Sequence, residues 1–257
     1  MPTQPKDADL VVSYLTMRRA IGWLGMLLPF ALLIGNFGIN QLDIPNNSFF
    51  IDTACQQDYR ADHSFKSSIS HYYDSTVGEL FTGTLSIVAL FLFCYKGHVL
   101  RPGEKGLSEN LMANLARLFA LGVVVFPTAS DECINDNMRS FLSSNNTGNI
   151  HFAMATLFFV SLAIMSTVNF RRTQKVGIQG TNKEDDFYLI CGIAMIVCLL
   201  LIVIYSIWIQ ELNIEWLNRL QPIFCLEAVA LIFFGLSWPT KGNIDYYYEP
   251  KKLKLMK

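Results

Sequence analysis

Six blocks of apolar residues, each close to twenty residues long, run through this chain with polar segments between them. A helix of about 20 residues crosses the hydrocarbon core of a bilayer. Only 16% of the residues are charged, against about 25% in a soluble domain. The pattern therefore predicts one membrane domain of 257 residues, all-α, built as a polytopic bundle of six transmembrane helices.

The spans are read at about 20–40, 75–95, 108–127, 150–170, 187–209 and 222–239. The first block, from Ala20 to about Ile39, is too long for the apolar region of a signal peptide and reads as a retained anchor. Gly22, Gly25 and Gly35 permit close helix contacts there. The third span is the least apolar, with Asn110, Asn114 and Arg117 on one face by their spacing. The fifth is rich in Ile, Leu and Val, as suits a lipid-facing helix. Between the fifth and sixth, Ile209, Leu212 and Trp216 can share one side of an interfacial helix.

Charge fixes an orientation. Lys6, Arg18 and Arg19 precede the first span, and Lys96, Arg101 and Lys105 follow the second. Arg171, Arg172, Lys175 and Lys183 follow the fourth, and Lys241, Lys251, Lys252, Lys254 and Lys257 follow the sixth. These fifteen of the twenty Lys and Arg lie on one side. Cytoplasmic loops carry the excess of Lys and Arg, so both termini are expected in the cytoplasm. The outer loops are then 41–74, 128–149 and 210–221. The membrane would be a plasma or inner membrane in a microbe and a secretory-pathway membrane in a eukaryote.

This topology places Cys55 and Cys133 in the two larger outer loops, where oxidation is permitted, and a disulfide between them is expected. Cys94, Cys191, Cys198 and Cys225 fall in or near spans. Asn46-Asn47-Ser48 and Asn145-Asn146-Thr147 are acceptor patterns for N-glycosylation.

The segment from His71 to Lys96 opens with His71, Tyr72, Tyr73, Asp74 and Ser75 and sets Glu79 at the mouth of a long apolar run. Ionisable groups in hydrocarbon are costly and usually face a protein interior, a cavity or each other. In the expected topology Glu79, His151 and Glu227 all sit in the outer third of helices running the same way. With His71 and Asp74 at the rim they would line an outward-facing polar pocket. That donor set suits two chemistries. His71, Glu79 and His151 could hold a divalent metal such as zinc, or a histidine–carboxylate pair could act as acid and base, with His151, Glu79 and Glu227 as the catalytic candidates. Hydrogen bonding between helices is the ordinary alternative for each.

Arg117 lies mid-span, and the reading gives it a carboxylate partner, Glu79 or Glu227, or an anionic group of a ligand. Tyr72, Tyr73, Trp216, Trp238 and Tyr246-Tyr247-Tyr248 suit interfacial aromatic belts. Ser67-Ser68 and Ser143-Ser144 stand in no nucleophile motif. There is no HExxH, phosphate loop, dinucleotide fingerprint or nucleic-acid motif, so no nucleic-acid partner is expected.

The combination Ile69-Ser70-His71-Tyr72-Tyr73 with Gly78-Glu79-Leu80-Phe81 resembles a family of uncharacterised microbial six-span integral membrane proteins, a domain of unknown function. Tyr95-Lys96-Gly97, Phe126-Pro127-Thr128, His151 with Phe158-Phe159, and Gly235-Leu236-Ser237-Trp238 carry the same resemblance. That family more often has Arg-Asp at Gly78-Glu79, so the adjacent positive charge is missing here, which weighs against a phosphate site at that corner. A broader architectural likeness is to the six-span group of GPI-anchor lipid-remodelling and autophagy-modulator proteins. It rests on a large first outer loop and on a histidine near the start of span four, here His151. These resemblances imply a six-helix fold and a lipid-related task. The resulting expectation is a pocket that binds or modifies a membrane lipid or small amphiphile. A non-enzymatic accessory subunit with a membrane-protein partner, a homo-oligomer, and a small-solute transporter are the alternatives.

Overall fold

A computed structural model describes residues 5–41, 65–75, 77–97, 106–128, 147–171 and 182–255. All the regular structure within them is helical. The helices are α1 (Pro5–Gln41), α2 (Gly78–Cys94), α3 (Glu109–Val125), α4 (Thr147–Ile164), α5 (Asn182–Ile204), the short α6 (Glu215–Arg219) and α7 (Pro222–Leu255). A short 3-10 helix, Ser70–Asp74, precedes α2. Helices α4 and α5 each run on into a π turn, Met165–Phe170 and Tyr205–Ile209.

Each long helix packs on the next one in the chain, and α7 closes the ring by packing along α1. Spanning helices satisfy their backbone groups internally, which is why hydrocarbon tolerates them. Among the described residues four segments are long and apolar enough to cross a membrane: Leu15–Gly38, Thr147–Phe170, Asp185–Leu212 and Pro222–Thr240. The sequence predicts six. The difference lies in α2 and α3, each of 17 residues. At 1.5 Å per residue they reach about 25 Å, just short of the roughly 30 Å core. Helix α2 is apolar; α3 carries Glu109 and Arg117.

Two local causes set the α2–α3 corner. Gly106 sits at φ 117, a conformation that side chains resist. Ser108 then caps α3, its hydroxyl accepting from the Leu111 amide at 3.1 Å. At the far end Pro127 follows α3, and helices tend to stop just before a proline.

Small residues set the α1–α7 seam. A Cβ on Gly22 would lie 2.6 Å from the Gly235 carbonyl oxygen, and one on Gly235 would lie 2.3 Å from the Cβ of Met26. Around the outside of the ring, Trp23, Ile34, Phe37, Leu90, Phe93, Leu200 and Trp208 are exposed. A chain of this kind solvates such side chains with lipid.

Candidate functional site

Two polar clusters occupy opposite ends of the ring, named here for Glu227 and Glu109. At the Glu227 end the segment 65–75 folds over the helix ends. Ser68 donates its hydroxyl to Glu227, at 3.0 and 2.9 Å from the two carboxylate oxygens, and the Ile69 amide donates to the same carboxylate at 2.6 Å. The Phe224 amide donates to the Ser67 carbonyl at 3.0 Å. Glu227 thus fastens the segment to α7.

Tyr72 and Tyr73 point inward from that segment. Tyr72 is fully buried against Phe224, and burial pushes its phenol above the ordinary tyrosine range. The Tyr73 hydroxyl donates to the Val124 carbonyl at 2.9 Å. His151, also fully buried, donates Nδ1–H to the Phe126 carbonyl at 2.7 Å. Both side chains therefore take up carbonyls freed where α3 ends, groups that have no partner within the helix.

That bond fixes the His151 tautomer. A carbonyl can only accept, so Nδ1 carries the proton and Nε2 keeps its lone pair. Nε2 is buried and has no hydrogen-bond partner among the described residues. The edge of the imidazole meets the Tyr73 ring at 6.2 Å between centroids, and His71 lies within electrostatic reach. His71 itself pairs with Ser67, Oγ to Nδ1, at 2.6 Å.

The structure thus gathers His71, His151 and, through Ser68 and Ile69, Glu227. Glu79 is placed differently from the expectation. It is exposed in the first turn of α2, where a negative charge complements the helix dipole. Among the described residues no three His, Cys, Asp or Glu side chains converge as metal ligands. That corrects the zinc reading of His71, Glu79 and His151, because the exposed Glu79 does not join the two imidazoles. The Asp74 side chain, Cys55 and Cys133 with their expected disulfide, and Asn46 and Asn145 all lie outside the described residues. Cys94, Cys191, Cys198 and Cys225 are free thiols.

Arg117 departs from its expected carboxylate pairing. Its guanidinium lies over the Phe93 ring, 4.6 Å from the centroid. Long helical side chains lean toward their helix N-terminus. Here that direction is toward the Glu109 end, so Arg117 reaches along α2 instead of across the core.

The Glu109 end is a polar centre that the sequence reading missed. Glu109, Tyr95 and Arg18 are all buried. Tyr95 donates to the Glu109 carboxylate, and Arg18 Nη2 donates to the Tyr95 hydroxyl at 3.3 Å. Trp238 packs on Tyr95 and Phe170. Asn169 in the π turn of α4 donates to the Leu107 carbonyl at 2.9 Å. Arg18 reads in sequence as a topology charge, and Glu109 falls at the start of the expected span 108–127. Their burial comes from which helices meet.

Comparison with protein-family models, curated proteins and solved structures finds no match for this chain.

Proposed function

We propose that this is a six-span membrane protein with both termini in the cytoplasm, whose extracytoplasmic Glu227 end binds a membrane lipid or small amphiphile. One observation carries the reading: the lone pair of His151 Nε2 is buried, oriented by the hydrogen bond at Nδ1 and not taken up by any described residue. A buried acceptor without a donor costs about 1–3 kcal/mol, so a ligand hydroxyl or amine placed there would gain that much by donating to it. Tyr73, His71 and the Glu227-anchored segment surround this point. Exposed apolar side chains on the adjoining helices supply the route by which an amphiphile would arrive from the bilayer. The lipid-related task implied by the six-span resemblance agrees with it.

The six-span reading counts α2 and α3 as spans. Their shortness is met by the polar segments at each end, which place side chains rather than hydrocarbon at the bilayer boundary. Reporter fusions at residues 1 and 257 should both report the cytoplasmic side; opposite sides would end this topology.

The binding test uses His151→Asn. The Asn amide can replace the Nδ1–H donor to Phe126 but offers nothing where Nε2 was. Native mass spectrometry of gently extracted protein should find a lipid or amphiphile on the wild type and strongly reduced occupancy on the variant. Equal occupancy on a folded H151N protein would refute the site.

A further inference from the structure

The geometry points to Ser67 as an acyl-accepting nucleophile and His71 as its base, acting on an ester of an outer-leaflet lipid. This deepens the amphiphile-binding reading and rests on it.

Four observations support it. Ser67 Oγ and His71 Nδ1 are 2.6 Å apart, within the reach that proton transfer between nucleophile and base requires. Both residues are half-buried, so each keeps part of its surface open to a substrate. The pair is held on a fixed frame: the Ser67 carbonyl accepts from Phe224, and the next two residues are tied to Glu227. Finally, Phe65 is exposed and packs edge-on against Phe224, 4.8 Å between centroids. That aromatic pair flanks Ser67 and offers an acyl chain an apolar surface. The frame sits at the first turn of α7, where the proposed span begins. The ester carbonyls of a bilayer lipid lie at the same boundary between headgroup and hydrocarbon.

The chemistry closes without a cofactor from outside. His71 Nδ1 takes the hydroxyl proton as Ser67 Oγ bonds to the ester carbonyl carbon. The tetrahedral adduct collapses by breaking the bond to the alcohol oxygen, and the alcohol leaves with the proton from His71. Water then attacks the acyl-serine, giving a proton to His71. The carboxylic acid departs and Ser67 regains its hydrogen. An unactivated serine is a weak nucleophile, and a positioned base contributes about 10²–10⁴ in rate.

The test treats full-length protein in liposomes with a long-chain alkyl fluorophosphonate and maps the adduct by peptide mass spectrometry. The expected result is a single adduct on Ser67, none in Ser67→Ala, and labelling at least ~100-fold slower in His71→Gln. An unlabelled wild type, an adduct on a different serine, or an unchanged rate in H71Q overturns the proposal. Native mass spectrometry of the same wild-type protein reads amphiphile occupancy independently of labelling. Binding and acyl transfer therefore fail separately: an unlabelled wild type that retains lipid removes the nucleophile and leaves the binding site standing.

Discussion

The Tyr95 hydroxyl donates to the Glu109 carboxylate across the corner that joins α2 to α3, with both residues 2% exposed. The same hydroxyl receives Arg18 from α1, whose guanidinium also lies 5.0 Å from the centroid of the Tyr95 ring. Trp238 of α7 also packs on that ring, at 5.1 Å between centroids. One phenol therefore links four helices. Gly97 permits the corner to close, since a Cβ there would lie 2.5 Å from the Glu109 Cγ.

Breaking this centre should be expensive because its charges are removed from water. Tyr95→Phe keeps the ring and its packing but deprives Glu109 of one donor. The expected loss is about 1.5–3 kcal/mol, the range for a hydrogen bond to a charged group. Glu109→Ala should lose more, about 3–5 kcal/mol, as when one member of a buried charged group is deleted. Thermal unfolding in detergent, read by intrinsic fluorescence, should order the proteins wild type, Y95F, E109A. A wild-type midpoint in E109A would show that the cluster contributes nothing.

Glu227 at the opposite end acts as a fastener, which makes a different prediction. Glu227→Ala leaves the Ser68 hydroxyl and the Ile69 amide without their acceptor. The segment 65–75 should then lift. Limited proteolysis of the detergent-solubilised protein should cut within 65–75 at least ~10-fold faster than in wild type, as expected when local opening is eased by about 1.4 kcal/mol or more. Glu227→Gln keeps one oxygen acceptor and should fall between. Equal cutting rates in all three proteins would mean that other contacts hold the segment.

Arg117 separates a charge in a span from a charge in a site. With its guanidinium over Phe93, the interaction contributes about 0.5–1 kcal/mol, rising toward 2 where it is dry. Arg117→Gln should lower stability by no more than that and leave amphiphile occupancy at the Glu227 end unchanged. Phe93→Leu in the same background should add little further, because the two act as one pair. Loss of the bound amphiphile in R117Q would reinstate the anion-binding reading.

The apolar helices were legible because block length is a local property, and among the described residues four of the six expected spans are long and apolar enough to cross a membrane. His151 and Glu227 stood out for the same reason, each being an ionisable side chain in an apolar run. Their partners did not stand out. Ser67 and Ser68 sit in a polar loop that resembles any other, and their roles depend on α7 arriving from more than 150 residues away. Glu79 failed for the converse reason. Depth along a helix can be read from sequence, but which way the side chain turns depends on packing, and Glu79 turns outward. Glu109 was hidden because a carboxylate beside a capping serine is what any helix start contains. Only the meeting of α1, α2 and α7 buries it.

The α1–α7 seam gives the most direct test of the ring closure itself. Gly22 faces Pro239 and the Gly235 carbonyl; Gly25 faces the Phe234 ring, where a Cβ would come within 2.5 Å of ring carbon. Association of helices in lipid depends on such close packing, since lipid tails are as apolar as the side chains they replace. Gly22→Val forces α1 and α7 apart and should cost about 1–3 kcal/mol by overpacking, the range seen when methyl groups are forced into a close-packed interior. Gly38→Ala is the matched control, with nothing within 4 Å of the added Cβ, and should be close to neutral. Thermal unfolding in detergent reads both variants. A wild-type midpoint in G22V, or an equal stability loss in G38A, would mean that the two helices do not depend on this contact.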